Sequence, residues 1–319
     1  MKAAKRAQSV IPAEGDAATI SAGGKRVPLT NLNKVFWPKL GLTKRDLLRY
    51  YEYVAPLLLP HVREKAMVMK RYPNGIDGDF FFMKRAPSGR PDWIETCSIT
   101  HGSGNVIDFP IVQDLPALLW LINLGCIDLN PWYARCSTPN QPEYLHFDLD
   151  PSDAPFEAIR EAALIVRDAL VTLGMKPLVK TSGGRGMHVY VAIKHGPEQH
   201  TVWAFAKSFS VQLAKVHRDV LTAVYKKDQR PKKRVLLDYN QNRWGATLAS
   251  IYSVRPNAFA GVSTPVTWEE IEAGITPEDF TMLNVPQRLD KLGDLWKPLT
   301  QQRGRFDLEE LLRGVSLPL

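Results

Sequence analysis

The stretch Tyr144–Asp150, YLHFDLD, alternates apolar and polar residues without a break, and it constrains the chain more than any other segment. Successive strand side chains point to opposite faces, so Leu145, Phe147 and Leu149 line one face and His146, Asp148 and Asp150 the other. Met187–Ile193 repeats the pattern, with Met187, Val189, Val191 and Ile193 set against His188 and Tyr190. A third strand, Arg234–Tyr239, carries Asp238 next to Val235, Leu236 and Leu237. Leu178–Thr181 reads as a fourth strand, leading into the turn SGGRG. Helical periods lie between them. Phe156, Ile159, Ala163, Val166, Leu170 and Leu173 form one stripe over Pro155–Leu173, with Asp153 as its cap. Val202, Phe205, Phe209, Leu213 and Val216 form another over residues 201–221. Strands mixed with helices in this order predict an α+β fold, with helices packed on one side of a mixed sheet and polar groups gathered on the other.

The flanks are less regular. Thr43–Leu59 reads as a helix capped by Thr43 and broken up toward its end by Pro56 and Pro60. Met67–Arg71 and Phe80–Met83 read as strands and Leu115–Leu124 as an apolar helix. Residues 1–26, rich in Ala, Gly and Lys, are expected to be a flexible basic tail. The rest, 27–319, is expected to form one domain, with an N-terminal module (27–142), a core (143–260) and a helical closure (261–319). The longest apolar run, Ala117–Ile127, is interrupted by Asn123 and falls short of the roughly 20 residues a membrane span needs. No apolar run follows the basic N-terminus as a secretory leader requires. Cys97, Cys126 and Cys136 are odd in number and form no Cys-x-x-Cys. That pattern argues against a disulfide framework and a zinc site, and a cytoplasmic location is expected. The net charge of +8 is uneven, with six basic residues against one acid in residues 226–234, KKDQRPKKR. Such a field suits a polyanion, nucleic acid above all.

Three groups of residues carry chemistry. Asp148 and Asp150 share a strand face about 7 Å apart, a spacing at which two carboxylates can converge on divalent cations. Read alone, Asp-x-Asp before a proline is as readily a strand end. Asp238, an acid within an apolar strand, strengthens the ionic reading, because an unpaired carboxylate there is costly. The second group is Ser182-Gly183-Gly184-Arg185-Gly186-Met187-His188. Glycines let backbone N–H groups approach an anion, and Arg185, Ser182 and His188 add donors. The same turn could be a hairpin with no ligand, and it is neither a Walker loop nor a Rossmann fingerprint. The third group is cationic and aromatic. Arg255 ends a strand in SVRP, Lys70 lies in MVMKR, and Lys34 and Lys44 flank a Trp-Pro turn and a helix start. Phe80, Phe81 and Phe82 are consecutive, so at least one turns away from the core unless the whole strand is buried.

In order along the chain, NLNKVFWP (31–38), KRYPNG (70–75), HFDLDP (146–151), KTSGGRGMHVYV (180–191), VLLDYNQN (235–242) and SIYSVRP (250–256) resemble the archaeo-eukaryotic primase superfamily. Within it, the chain is similar to the polymerase domain of bacterial DNA ligase D, over roughly residues 28–300. The resemblance implies an RRM-like catalytic core beside an N-terminal α/β module. It also implies a template-directed nucleotidyltransferase that extends DNA primers and fills gaps in end-joining repair, with manganese or magnesium as a pair of ions and ribonucleotides favoured over deoxynucleotides. Asp148, Asp150 and Asp238 would be the catalytic metal ligands. Ser182, Arg185, His188, Arg255 and Lys70 would hold the incoming nucleotide, with Asn130 near its sugar, where the family often carries a His. Asn can hydrogen-bond a hydroxyl but does not titrate near neutral pH. Lys34 and Lys44 would grip the 5′-phosphate across a gap, and Phe81 and Phe82 would stack on the template. Expected partners are broken or gapped DNA, a Ku-type end-binding protein and a ligase. The alternatives are a primase that starts strands de novo, an inactive nucleic-acid-binding module and a metal-dependent phosphoesterase.

Overall fold

A computed structural model describes residues 8–314 of the 319-residue chain. Its centre is a six-stranded sheet in the order Leu221–Thr222, Val235–Asp238, Tyr144–Asp150, Met187–Ala192, Leu178–Thr181 and Pro265–Val266. The first pair is parallel and every other pair antiparallel, so the sheet is mixed. Helices Phe156–Thr172 and Gln199–Val216 cover the face that carries Leu145, Phe147 and Leu149, as the alternation predicts. Ile159, Ala163, Val166 and Leu170 are buried there, and Phe147 lies 4.9 Å from Phe209 between ring centroids. Asp153 does not cap the first of these helices; it accepts from the Lys233 N–H instead.

The opposite face is not an open polar surface. His146, Lys180, His188 and Tyr190 are all buried, roofed by Tyr133 and Trp296. The end of this face, around Asp148 and Asp150, reaches a cleft.

The N-terminal part builds a three-stranded sheet, Phe81–Met83, Met67–Arg71 and Cys126–Pro131, against helices Lys44–Val62 and Leu115–Asn123. Thr43 caps the long helix in a capping box with Asp46. Pro56 and Pro60 lie inside this helix and do not break it. Both are exposed, so the carbonyls they leave unpaired face water and the helix continues to Val62.

The expected N-terminal tail also differs. Residues 1–7 lie outside the described residues, but Ala18–Ala22 and Lys25–Leu29 form an antiparallel hairpin. Gly23 and Gly24, both at positive φ, supply the two-residue turn that such hairpins favour. Ile20, Ala22, Val27 and Leu29 are buried on one side. Cys97 and Cys136, expected to be free thiols, are joined as a disulfide with a Cα–Cα distance of 5.8 Å; Cys126 is free and buried.

The apolar core runs continuously from Ile11 to Leu308. Tyr51 stitches its parts together: its buried hydroxyl donates to the Ile127 carbonyl at 2.5 Å and accepts from the Val254 N–H at 3.0 Å. No helix among the described residues is long and apolar enough to cross a membrane.

Candidate active site

The acidic group forms from strand register. Asp148 and Asp238 are direct antiparallel partners, and Asp150 follows on the same face two residues on. The cluster is crowded with like charge, and Asp148 and Asp238 are poorly hydrated while Asp150 is half-exposed. Burial, then the neighbouring Asp150, pushes the Asp148 carboxyl up to about 7. Burial and Asp148 raise the Asp238 carboxyl as well. Carboxylates that disfavour one another's ionisation make a site that a cation stabilises. As the side chains stand, each is held locally. Asp238 accepts from the Asn240 N–H at 2.8 Å and from Gln241 Nε2 at 3.1 Å. Asp150 accepts from the Ser152 N–H at 2.9 Å and lies 3.7 Å from Arg230. Accordingly, among the described residues no three His, Cys, Asp or Glu side chains are drawn together as ion ligands. The donor set, all carboxylate oxygen from two adjacent strands on one sheet face, fits a hard divalent cation.

The cleft, about 260 Å³, is lined by Asp148, Asp150, Ser182, Arg185, His188 and Arg255. The Gly-rich turn is thus beside the acids. Its amides are partly engaged, since Gly184 and Gly186 donate to Ser182 Oγ at 3.2 and 3.1 Å. Arg185 is exposed at the turn's tip. Glycine is required twice here. Gly183 has φ +73°, and a Cβ on it would come within 2.8 Å of Arg255 and of the Val262–Ser263 backbone. A Cβ on Gly186 would lie 2.6 Å from the Leu149 carbonyl oxygen. The turn is pressed against both the acidic strand and the Arg255 segment, which a side chain would prevent.

His188 faces Asp148 at 3.3 Å through Nε2, while Nδ1 lies 2.7 Å from Lys180 Nζ. Lys180 also donates to the Ala249 carbonyl at 3.0 Å and to Ser263 Oγ. Burial first, then the Lys180 charge, pushes the imidazole well below its usual range, so His188 is neutral. Lys180 was not singled out in the sequence, yet it fixes the ring's position; its signal was a lysine in the otherwise apolar run LVKT. Arg230, hidden in the basic run, is a second residue missed in this way.

Asp128 is a third. It is 1% exposed, sits cross-strand from Lys70 and lies 3.5 Å from Arg255. This carboxylate thereby holds Arg255 at the cleft, with Lys70 on the neighbouring strand. Asn130 is buried two residues on, its amide donating to the Asp128 carbonyl at 3.3 Å. The Ser250 N–H donates to the Leu129 carbonyl and the Leu129 N–H to Ser253 Oγ, both at 2.9 Å, which ties this strand to the segment that ends in Arg255.

The remaining candidates, Phe81, Phe82, Lys34 and Lys44, do not line this cleft, nor does Lys70 itself. The Lys70 ammonium sits 4.1 Å from the centre of the Phe80 ring, with Tyr72 and Phe82 around it. Phe81 and Phe82 are 43% and 61% exposed, so the aromatic strand is not buried. Lys34 donates to Asn74 Oδ1 at 2.6 Å and Lys44 to the Thr30 carbonyl at 2.7 Å. Burial, then the nearby Lys34 charge, lowers Lys44 to about 8. Two cations held against each other favour an anion between them.

The family described as LigD, primase-polymerase domain matches residues 43–296. The multifunctional non-homologous end joining protein LigD of Mycolicibacterium smegmatis is 32% identical over 278 residues, covering 86% of this chain and 36% of that protein. The bifunctional non-homologous end joining protein LigD of Bacillus subtilis is 29% identical, covering 84% of this chain and 43% of its own. The chain therefore spans well under half the length of these relatives. Among solved structures, the polymerase domain from Mycobacterium tuberculosis ligase D in complex with DNA superposes with a TM-score of 0.81 at 28% identity, covering 86% of this chain and 98% of that one.

Proposed function

The chain belongs to the LigD primase-polymerase domain family, a family of nucleotidyltransferases of end-joining repair, and from that premise we propose that it extends the 3′ end of a DNA primer on a template strand, filling gaps at broken ends. The observation that carries this reading is Asp148, paired across strands with Asp238 and lining, with Asp150, a cleft edged by Ser182, Arg185, His188 and Arg255.

Asp148, Asp150 and Asp238 would hold two divalent ions, manganese or magnesium. Such ions, when bound, supply charge stabilisation at the α-phosphate and leaving pyrophosphate and lower the pKa of the primer hydroxyl. The chain's own groups do the rest. Arg255 and Arg185 bind phosphate oxygens as planar forks, and neutral His188 donates one hydrogen bond there. Asp128 keeps Arg255 and Lys70 directed at the nucleotide. Asn130 hydrogen-bonds a sugar hydroxyl, in keeping with ribonucleotide use. Exposed Phe81 and Phe82 stack on template bases, and Lys34 with Lys44 holds the 5′-phosphate across the gap. A Ku-type end-binding protein and a ligase would act beside it.

Extension of a gapped duplex, with and without a 5′-phosphate, in manganese and with ribo- or deoxynucleotides, tests the reading. The chain should add nucleotides, faster with the 5′-phosphate, and Asp148→Ala should lose extension by several orders of magnitude while retaining DNA binding. Normal extension by that variant would sink the metal assignment. An unchanged 5′-phosphate preference in a Lys34→Ala, Lys44→Ala double variant would sink the role of that pair.

A further inference from the structure

A second, larger cleft of about 480 Å³ adjoins Asp238 through Asn240 and is lined by Trp203, Trp244, His200, Arg243, Asn240 and Asn140 among others. No carboxylate lines it. Trp244 is 38% exposed and is braced edge-to-face on buried Trp132 at 5.0 Å. The Trp203 ring is half-buried, fixed by its Nε1 donating to Asn240 Oδ1 at 3.2 Å, with Lys207 Nζ 5.1 Å from its centre. Asn240 belongs to both sites, because its backbone N–H donates to Asp238. Buried Gln199 braces the rim by donating to the Asn242 and Arg243 carbonyls at 3.0 and 3.1 Å.

Fixed aromatic rings, amides and cations with no competing acid make up the chemistry that binds unpaired bases, where ring stacking supplies affinity and basic side chains follow the phosphates. A cationic or purely aliphatic partner would find little complementarity here. We propose that this cleft binds an unpaired nucleobase of a single-stranded DNA overhang, the strand whose end is presented to Asp238. Trp244 and Trp203 stack on the base, Asn140 and Asn240 meet its polar edge, and Arg243 and His200 accompany the backbone. The placement at Asp238 rests on the nucleotidyl-transfer reading; the stacking site itself does not.

The test is equilibrium binding of a labelled single-stranded deoxyoligonucleotide of about eight nucleotides, within the range one such groove occupies. Chelator is present and nucleotide absent, so the result does not depend on whether the chain extends primers, which the gapped-duplex assay decides separately. The unaltered protein should bind this oligonucleotide more tightly than an abasic one of the same length, by between roughly fivefold and a hundredfold. In a Phe81→Ala, Phe82→Ala background, which removes the candidate template-stacking rings, Trp244→Ala should lose that difference and Trp244→Phe should keep most of it. Arg243→Gln should weaken both oligonucleotides and flatten the salt dependence by about one phosphate contact. Equal affinity for the two oligonucleotides in the unaltered protein overturns the proposal without recourse to any variant. Unchanged discrimination in a folded Trp244→Ala variant of that background also overturns it and leaves the cleft to a different class of partner.

Discussion

At the scale of single residues, the site is governed by how little water reaches its charges. Asp148 shows the consequence most directly. Its carboxyl titrates near 7 in the fold against 3.8 in an unfolded chain, because burial and Asp150 oppose ionisation. The native state therefore holds this proton to higher pH than the unfolded state does. Its contribution to stability is complete below about pH 4 and is lost as pH rises through about 7. In chelator, Asp148→Asn should accordingly melt above the unaltered protein at pH 8, with the gap closing as pH falls toward 4. Melting curves across that range check it, and a constant gap would show that Asp148 is well solvated. The residues that make this environment were unevenly legible. Asp148, Asp150 and Asp238 stood out because acids are rare within strands. Lys180, Asp128 and Arg230 did not, because each acts through a neighbour brought close only by folding: His188, Arg255 and Asp150.

At the scale of elements, strand alternation carried most of the reading. Tyr144–Asp150 falls where its two-residue period places it, Leu178–Thr181 falls just before the glycine turn as expected, and the helices behind them follow their apolar stripes. The hairpin at Ala18–Leu29 went unread because its two strands are short and sit in a basic, alanine-rich context, although Gly23-Gly24 marks its turn. The prolines of helix Lys44–Val62 misled for a different reason, since whether a proline ends a helix depends on which side of it meets water. The glycine turn has the sharpest requirement. Gly183→Ala must adopt a left-handed backbone at about 1–2 kcal/mol and must also displace Arg255 or the chain at Val262–Ser263. We expect a KM for nucleotide raised about tenfold, the effect of some 1.4 kcal/mol, with DNA affinity nearly unchanged. Steady-state kinetics with separate measurement of DNA binding would detect it, and an unaltered KM would mean that the turn does not position Arg255.

At the scale of the whole molecule, no periodicity could have shown how the parts are joined, because the joining groups are far apart in sequence. Tyr51 is the clearest instance, a helical residue that reads as core and proves to hydrogen-bond two distant segments. Tyr51→Phe keeps the ring but leaves the Ile127 carbonyl and the Val254 N–H without this partner, at a cost of about 2–4 kcal/mol. Urea denaturation should show that loss as an earlier midpoint with the slope retained. A midpoint within error of the unaltered protein would mean that other groups satisfy both backbone atoms. The same hydroxyl has a practical corollary for anyone dividing this gene. A cut anywhere between codons 127 and 254 leaves Tyr51 and the Ile127 carbonyl on one piece and the Val254 N–H on the other, so the second fragment loses the hydroxyl that fastens it to the first. Two such pieces should fail singly and recover only when co-expressed, which makes the protein a candidate for reassembly assays and a poor one for dissection into independent halves.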